Sequence, residues 1–468
     1  MATLIDPTSQ GFLLSESRMM PMHVGGLQLF TRPEGADHSY GRDLYEWAVD
    51  AGEIAPLFLK HPSRSLRSGG QLVWESDKEF DIEHHVRHSA LPEPGRIREL
   101  LELVGRLHST RMDPTRPMWE SHVIEGLADG RMAMYTKLHH SLVDGVAAMR
   151  LMAAVLTTDP ERRDMTPPWA RRDTRQGARE TALTRSLPDV TEVAVAMGQG
   201  LALAQEAAGL PVAMARTLTR GVLNRTSPVS LYAPRTILNR NITGARRFAA
   251  QDWPIERLRA ISKATGTTLN DVVMAMCSGA MRTFLSELDA LPEQTLVAMV
   301  PVSFKARQSH VASADGGNAL GSLMVALGTH LADPMERLES VHRSMVQGKE
   351  ALGEMTQLQV LAMSGLGQAP AIALPFLRLN GLVRPPYNLV ISNVPGPREV
   401  QYLNGAEMQG TYPLSIPIHG MALNITCNSY AGRLCFGLTG CRRTVPHLQR
   451  LLTHLDDEVA ALEVAAGI

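Results

Sequence analysis

Apolar positions recur along this chain with two different periods, and the two alternate. Leu100, Leu101, Val104 and Leu107 fall on one face of a 3.6-residue repeat, which predicts a helix over Ile97–Met112. Arg131–Leu138 (RMAMYTKL) instead alternates residue by residue, the mark of a half-buried strand, and it follows the turn signal Asp129-Gly130. Ser121–Leu127 and His23–Phe30 read as further strands, the latter after a short N-terminal helix. Val146–Leu156 reads as a helix with Asp144 close to its start.

A second region repeats the mixture. Leu269, Val272, Val273, Met276, Ala280, Phe284 and Leu288 predict a long helix over Thr268–Leu288. Leu296–Ser303, Leu323–His330, Asn388–Asn393, Met421–Asn428 and Arg433–Leu438 read as strands, and Pro446–Ala461 as a closing helix. Asp333-Pro334-Met335-Glu336 is a helix start, with Asp333 as cap, proline in the first turn and Glu336 in capping-box position. Between the regions, residues 159–190 carry Pro167, Pro168 and seven arginines, which break the apolar period and predict an exposed linker. An alanine-rich helical stretch follows to about Arg220. The expected division is residues 1–158, a connection over 159–233, and residues 234–468.

Composition narrows the function classes. The 468 residues carry a formal net charge of −1, with 44% hydrophobic and 20% charged residues. That is an ordinary globular balance with no field to steer a polyanion, so nucleic acid is not an expected partner. The four cysteines form no CxxC pair, so neither a disulfide scaffold nor a thiolate zinc site is expected. The N-terminus lacks a basic start followed by an apolar core, so no signal peptide is expected. Residues 193–215 and 358–383 approach a membrane span, but charged residues and prolines interrupt them, so interfacial or packed helices are expected instead. The 24 methionines suit either a core or a surface for flexible apolar ligands.

The sharpest candidate chemistry is His139-His140-Ser141-Leu142-Val143-Asp144-Gly145, between a predicted strand and a predicted helix. Imidazole, with an ordinary pKa of about 6.5, suits proton transfer near neutrality. An aspartate four residues on could brace the turn or orient the ring, and Gly145 permits close backbone approach. His84-His85 is a decoy, with no Asp-Gly after it, and reads as structural or surface. Asn270 could direct its amide at a reacting centre or cap its own helix.

HHSLVDG matches HHxxxDG, the signature of the CoA-dependent acyltransferase superfamily. More narrowly, the chain resembles the bacterial wax ester synthase/acyl-CoA:diacylglycerol acyltransferase family over nearly its whole length. The resemblance runs through Phe12-Leu13, Pro21-Met22-His23-Val24-Gly25, Phe80-Asp81-Ile82 and Arg116-Pro117-Met118-Trp119-Glu120, where methionine replaces the family's leucine. It continues through Asn270-Asp271, Pro301-Val302-Ser303, Gly317-Asn318 and Ser392-Asn393-Val394-Pro395-Gly396-Pro397.

That resemblance implies an α/β fold of two chloramphenicol acetyltransferase-like lobes, with mixed sheets, flanking helices and an active-site tunnel at their interface. It implies His140 as general base, His139 as support for its loop, and a buried ion pair of Asp144 with an arginine, for which Arg307 is the candidate. Pro117, Trp119, Ser303, Ser392 and Asn393 become candidates for the substrate path. Acyl-CoA would be the co-substrate, diacylglycerol or a long-chain alcohol the acceptor, with no bound cofactor and no metal. A cytoplasmic protein peripherally attached to the inner membrane or to lipid droplets is expected. Carrier-protein-dependent condensation and a non-catalytic lipid-surface role are the alternatives. One departure stands out: Cys441 lies where the family pattern leads one to expect an acidic residue.

Overall fold

The computed structural model describes residues 3–37, 39–64, 69–171, 233–305, 318–353, 360 and 384–468. Two six-stranded sheets dominate, each with its own apolar core. This is the expected two-lobed α/β arrangement.

The N-terminal part opens with β1 (Thr3–Leu4), α1 (Pro7–Ser15), β2 (His23–Thr31) and α2 (Tyr40–Val49). It continues through β3 (Lys60–Arg64), β4 (Leu72–Ser76), α3 (Ile82–His85), β5 (Val86–Ala90) and α4 (Ile97–Ser109), then β6 (Trp119–Glu125), β7 (Met132–His139) and α5 (Gly145–Ala153). The second part contains β8 (Arg246–Pro254), α6 (Ile255–Thr265), α7 (Leu269–Glu287), β9 (Val297–Lys305), β10 (Asn318–Ala326) and α8 (Pro334–Gly353). It ends with β11 (Leu389–Val394), β12 (Tyr402–Leu403), β13 (Ala406–Leu414), β14 (Leu423–Tyr430), β15 (Arg433–Cys441) and α9 (Arg450–Ala466).

The first large sheet has the order β12-β13-β2-β7-β6-β5 and the second β10-β9-β11-β14-β15-β8. Both are mixed: β5 runs parallel to β6, and β11 runs parallel to β9 and β14. The division at residues 158 and 234 therefore needs correction. Residues 402–414 come from the C-terminal part yet complete the N-terminal sheet, with Leu414 opposite Gly25 and Glu407 opposite Thr31. They occupy what would otherwise be an open edge of β2, whose unpaired backbone groups would invite other strands.

The expected linker also begins inside the fold. Trp169 is wholly buried, donates its indole N–H to the Ala48 carbonyl at 2.9 Å, and stacks on Trp119 at 5.0 Å. The surrounding prolines and arginines hid one large anchor. Residues 172–232 lie outside the described residues, as do 193–215 and, apart from buried Val360, 358–383. No helix among the described residues is long and apolar enough to cross a membrane. The closing helix starts at Arg450 rather than Pro446, because residues 446–449 form a turn in which His447 has φ 54°.

The lobes meet at Gly437 and Gly105, and only the first contact is too close for any other residue. A Cβ on Gly437 of β15 would lie 1.9 Å from the Pro413 carbonyl oxygen of β13, so only glycine admits that crossing. On α4, a Cβ at Gly105 would lie 3.5 Å from the Arg246 carbonyl of β8, and the Arg246 N–H donates to Ser109 Oγ at 2.8 Å. The buried face of α4 is Leu100, Leu101, Val104 and His108, close to the stripe its periodicity predicts.

Candidate active site

The His139-His140 dipeptide sits where β7 runs out and the chain turns into α5. Two backbone bonds fix it: the His139 N–H donates to Met118 O at 2.9 Å, and the His140 N–H to Met22 O at 2.8 Å. The segments flanking Met118 and Met22 thus clamp the motif from both sides.

His139 is fully buried. Its Nδ1 accepts the Ser141 backbone N–H at 3.1 Å and lies 2.6 Å from Ser141 Oγ. An Nδ1 that accepts a backbone N–H carries no proton of its own, so that hydrogen-bond network assigns the neutral ring's proton to Nε2. Nε2 faces Glu16 Oε1 at 3.6 Å. Glu16, itself buried, accepts from Arg111 Nε at 2.7 Å and from the Met22 N–H at 3.2 Å. Burial first, then His140 and the Arg111 charge, push the His139 imidazole down to about 3. It is a neutral positioning group at physiological pH.

The His140 ring lies stacked on Phe12, with centroids 4.2 Å apart and planes 23° from parallel. Burial holds its pKa below the ordinary value, and a backbone hydrogen bond and the Asp144 carboxylate oppose that shift. A lowered pKa keeps the ring unprotonated near neutrality, the form that accepts a proton.

Helix α1 roofs this loop. Ser9 Oγ donates to the Ser141 carbonyl at 2.9 Å, Phe12 covers His140, and Glu16 faces His139. Ser9 and Phe12 share one face of α1 at the i, i+3 spacing, and Glu16, one residue past its end, continues that turn through its N–H to the Phe12 carbonyl at 3.1 Å. Spacing from Phe12 was the available signal for Ser9 and Glu16, which the motif reading passed over.

Asp144 is exposed, which does not fit the expected buried ion pair, and among the described residues it pairs with no cation. Its carboxylate is exposed and accepts the Ala147 N–H at 2.7 Å, capping α5. An N-cap aspartate gains a backbone donor and the helix dipole while staying in water, so it has no need of a buried cation. Arg307 lies outside the described residues. Gly145 begins α5 with open space where a Cβ would stand, so it answers no close backbone contact in this state.

Of the two readings for Asn270, the cap is overturned. Thr268 caps α7 in a reciprocal box with Asp271: the Thr268 N–H reaches Asp271 Oδ2 at 2.9 Å, and the Asp271 N–H reaches Thr268 Oγ1 at 3.2 Å. This leaves the Asn270 side chain to meet Asn393, whose Nδ2 donates to Asn270 Oδ1 at 3.4 Å. Two motifs distant in sequence are thereby joined. Ser392 is adjacent on β11, and its carbonyl accepts from Cys427 Sγ at 3.5 Å. Ser303 is on β9, in register opposite Leu320. Among the described residues, no hydrogen bond or ring contact links Asn270 or Asn393 to His140.

Pro117 is buried, and Trp119 lies in the lobe core rather than along a substrate wall. Trp119 donates its indole N–H to Phe58 O at 2.9 Å and stacks on His85 at 4.8 Å and on Trp169 at 5.0 Å. An indole enclosed on both faces has no surface left for a ligand. His85 of the decoy pair is part of this stack, and burial pushes its pKa down to about 4.

Beside His139 on the same face of β7, Lys137 is completely buried. Its Nζ donates to Leu107 O at 3.0 Å and Thr110 O at 2.9 Å, and lies 3.2 Å from Glu120 Oε2. Burial alone would raise the Glu120 carboxyl, but His122, Lys137 and Arg87 hold it down to about 2. His23 Nε2 lies 2.9 Å from His108 O, and His108 Nδ1 lies 2.8 Å from the Tyr135 hydroxyl. This network ties the end of α4 to the sheet beneath the motif.

Cys441 is buried at the end of β15, with its Sγ accepting the Thr243 N–H at 3.4 Å. Burial pushes the thiol up, yet hydrogen bonds from Thr444 and Thr243 bring it to about 7. The sulfur therefore serves as a local acceptor, a task a carboxylate there could also perform.

Comparisons with known proteins identify the family. A family model described as the wax ester synthase/diacylglycerol acyltransferase catalytic domain matches residues 5–273, and the WS/DGAT C-terminal domain matches residues 316–463. A Mycobacterium tuberculosis protein named as a candidate diacylglycerol O-acyltransferase is 44% identical over 464 residues, covering 99% of this chain and 100% of that one. The solved wax ester synthase/diacylglycerol acyltransferase from Marinobacter aquaeolei VT8 is similar with a TM-score of 0.78 and 40% identity, over 100% of both chains. The starter condensation domain of rhizomide synthetase shares the fold alone, with a TM-score of 0.57 and 13% identity over 100% of this chain and 95% of that one.

Proposed function

Because this chain belongs to the wax ester synthase/diacylglycerol acyltransferase family, and is an acyltransferase of triacylglycerol and wax ester synthesis, we propose that His140 is its general base. The observation that carries this reading is the His140 ring. It is unprotonated near neutrality, anchored through its backbone to Met22, and backed by a neutral His139 in one tautomer.

Acyl-CoA is the donor, and diacylglycerol or a long-chain alcohol is the acceptor. No resident cofactor takes part. His140 removes the acceptor hydroxyl proton as the oxygen attacks the thioester carbonyl. The tetrahedral intermediate collapses, the carbon–sulfur bond breaks, and the proton on His140 passes to the departing CoA thiolate. Ser141 forms no covalent intermediate, because its hydroxyl is engaged at His139 Nδ1 rather than at His140. The Asn270–Asn393 pair, with Ser392 and Ser303 nearby on the same sheet, borders the path of the substrates between the lobes.

Attachment to the inner membrane or to lipid droplets is peripheral, on the cytoplasmic side. What supports this is apolar exposure beside the roof of the site: Leu14 is 58% exposed and Met19 44%. Flotation with liposomes and droplets tests it, and a protein that stays wholly in the dense fraction contradicts it.

The acceptor is tested by offering radiolabelled palmitoyl-CoA with diacylglycerol and hexadecanol in competition. Labelled triacylglycerol as the main product, with wax ester as a side product, is the expected result. Free labelled fatty acid with neither ester would contradict the transfer.

A further inference from the structure

We propose that the cleft between α4, β8 and the turn leading into α9 is a phosphate-binding site. Arg98, Arg247, Arg442, Arg450 and His447 line a cavity of about 490 Å³. They come from α4, β8, the turn after β15 and the first residue of α9, which meet only in the folded chain. At Gly105 α4 lies against the β8 backbone, and Arg98 lies seven residues earlier on that helix, about 10 Å along the axis and on the same face. Arg247 follows the buried Arg246 on β8, opposite Gly440. Arg442 is held by its N–H to the Ala245 carbonyl at 3.0 Å.

Two of the guanidinium groups already have partners: Arg98 pairs with Glu102, and Arg450 with Glu287. No carboxylate among the described residues pairs with Arg247 or Arg442. On a chain of net charge −1, Arg247 and Arg442 bring two positive charges to this cleft that no carboxylate among the described residues compensates. A single carboxylate would be satisfied by one guanidinium fork. Two forks without carboxylate partners, Arg247 and Arg442, with Arg98 and Arg450 beside them on the same cavity, suit an anion with several oxygens and more than one charge, which is the chemistry of phosphate esters and phosphoanhydrides. The cavity also lies in the size range of small-molecule sites, roughly 300–1,000 Å³. His447, a non-glycine residue at φ 54°, sits in this lining, and strained backbone of this kind concentrates at ligand clamps.

Phosphates of this kind have two sources: the nucleotide end of CoA in the proposed reaction, and the headgroup of an anionic phospholipid at the proposed membrane surface. The CoA arm rests on the acyltransferase reading, whereas binding of inorganic pyrophosphate does not.

The experiment titrates the full-length protein and its Arg247→Gln/Arg442→Gln variant with inorganic pyrophosphate by calorimetry, at low and high salt. Wild-type binding that weakens with salt, and weakens about tenfold or more in the variant at unchanged melting temperature, is the expected result. Arg98→Gln, on the exposed side, gives a second, smaller loss that does not depend on how the half-buried Arg247 position folds. A raised KM for palmitoyl-CoA at unchanged kcat identifies CoA as the source. Reduced capture by phosphatidic acid vesicles, but not by phosphatidylcholine vesicles, identifies the lipid headgroup. Wild-type protein that fails to bind pyrophosphate, or variants that bind it equally well, would overturn the site. Pyrophosphate binding by a protein without any palmitoyl-CoA turnover would leave this site standing and sink the acyltransferase reading.

Discussion

The two six-stranded sheets are alike in size and differ in what they bury. The N-terminal sheet encloses His23, His85, His108, Glu120, His122, Lys137 and His139. The C-terminal core packs methionines, valines and leucines along α7, with hydroxyl and amide groups and a smaller titratable set, Arg246, Asp271, His454 and the Arg337–Glu458 pair. Buried imidazoles and a buried lysine each carry a desolvation penalty that apolar side chains do not. The N-terminal lobe bears that penalty where β7 delivers the HHxxxDG loop. The C-terminal lobe supplies apolar mass and the surface against which the first lobe is set.

The comparison can be broken most severely at His140. His140→Ala should lower acyl transfer by roughly 10²–10⁴-fold with the melting temperature unchanged, the range for loss of general-base catalysis. In the other lobe, Met276→Ala should show the inverse. It should cost about 2–5 kcal/mol of stability in denaturant titration while activity per folded molecule is retained.

Lys137→Met leaves Glu120 buried without its ammonium partner and should cost about 3–5 kcal/mol, read from the same titration. The polar core also sets a pH dependence. Glu120 is held at about 2, below its ordinary value, so its contribution is complete above about 4.5 and is lost as pH falls toward 2. His85, His108 and His139 are held at about 4, 3 and 3. The unfolded chain protonates them first, so their neutral burial also loses stability as pH drops below about 6.5. The melting temperature should therefore fall between pH 7.5 and 4.5 through the histidines, and further below pH 4.5 through Glu120. A flat curve would show that these groups do not govern the lobe.

Glu16→Gln keeps the size of the group facing His139 and removes its charge. We expect kcat to fall about tenfold with KM little changed, a loss of about 1.4 kcal/mol in the transition state. A purely structural role for Glu16 would lower the melting temperature and leave kcat per folded molecule alone. The smallest effect belongs to Asp144. Asp144→Asn should cost less than about 0.5 kcal/mol and Asp144→Ala about 1 kcal/mol, because both amide and carboxylate cap helices. A loss near 3–5 kcal/mol in the asparagine variant would restore the buried ion pair.

Much of this was legible in the sequence where one element decides its own fate. The period of Leu100 to Leu107 found α4, and alternation in RMAMYTKL found β7, because burial on one face imposes those spacings. The HHxxxDG spacing found the loop. What was not legible depends on partners far along the chain. Trp169 is an anchor because Trp119 and Ala48 are there to receive it. Residues 406–414 leave their own lobe because β2 has an edge to fill. Asp144 was read as half of a buried pair because the sequence does not report exposure. Trp119 was read as a wall because aromatic residues near a motif line a site or a core with the same pattern. Glu16 lay in plain view, but only the fold shows that its neighbour is His139.

The central claim is that His140 takes the acceptor proton while His139 only holds the loop. It is tested most directly by single-turnover transfer from radiolabelled palmitoyl-CoA, with His140→Ala and His139→Ala prepared side by side and their folding checked by circular dichroism. The account predicts a folded His140→Ala protein that binds acyl-CoA and makes no ester above background, and a His139→Ala protein that is less stable yet still turns over. A folded His140→Ala protein with transfer close to that of the wild type would contradict it.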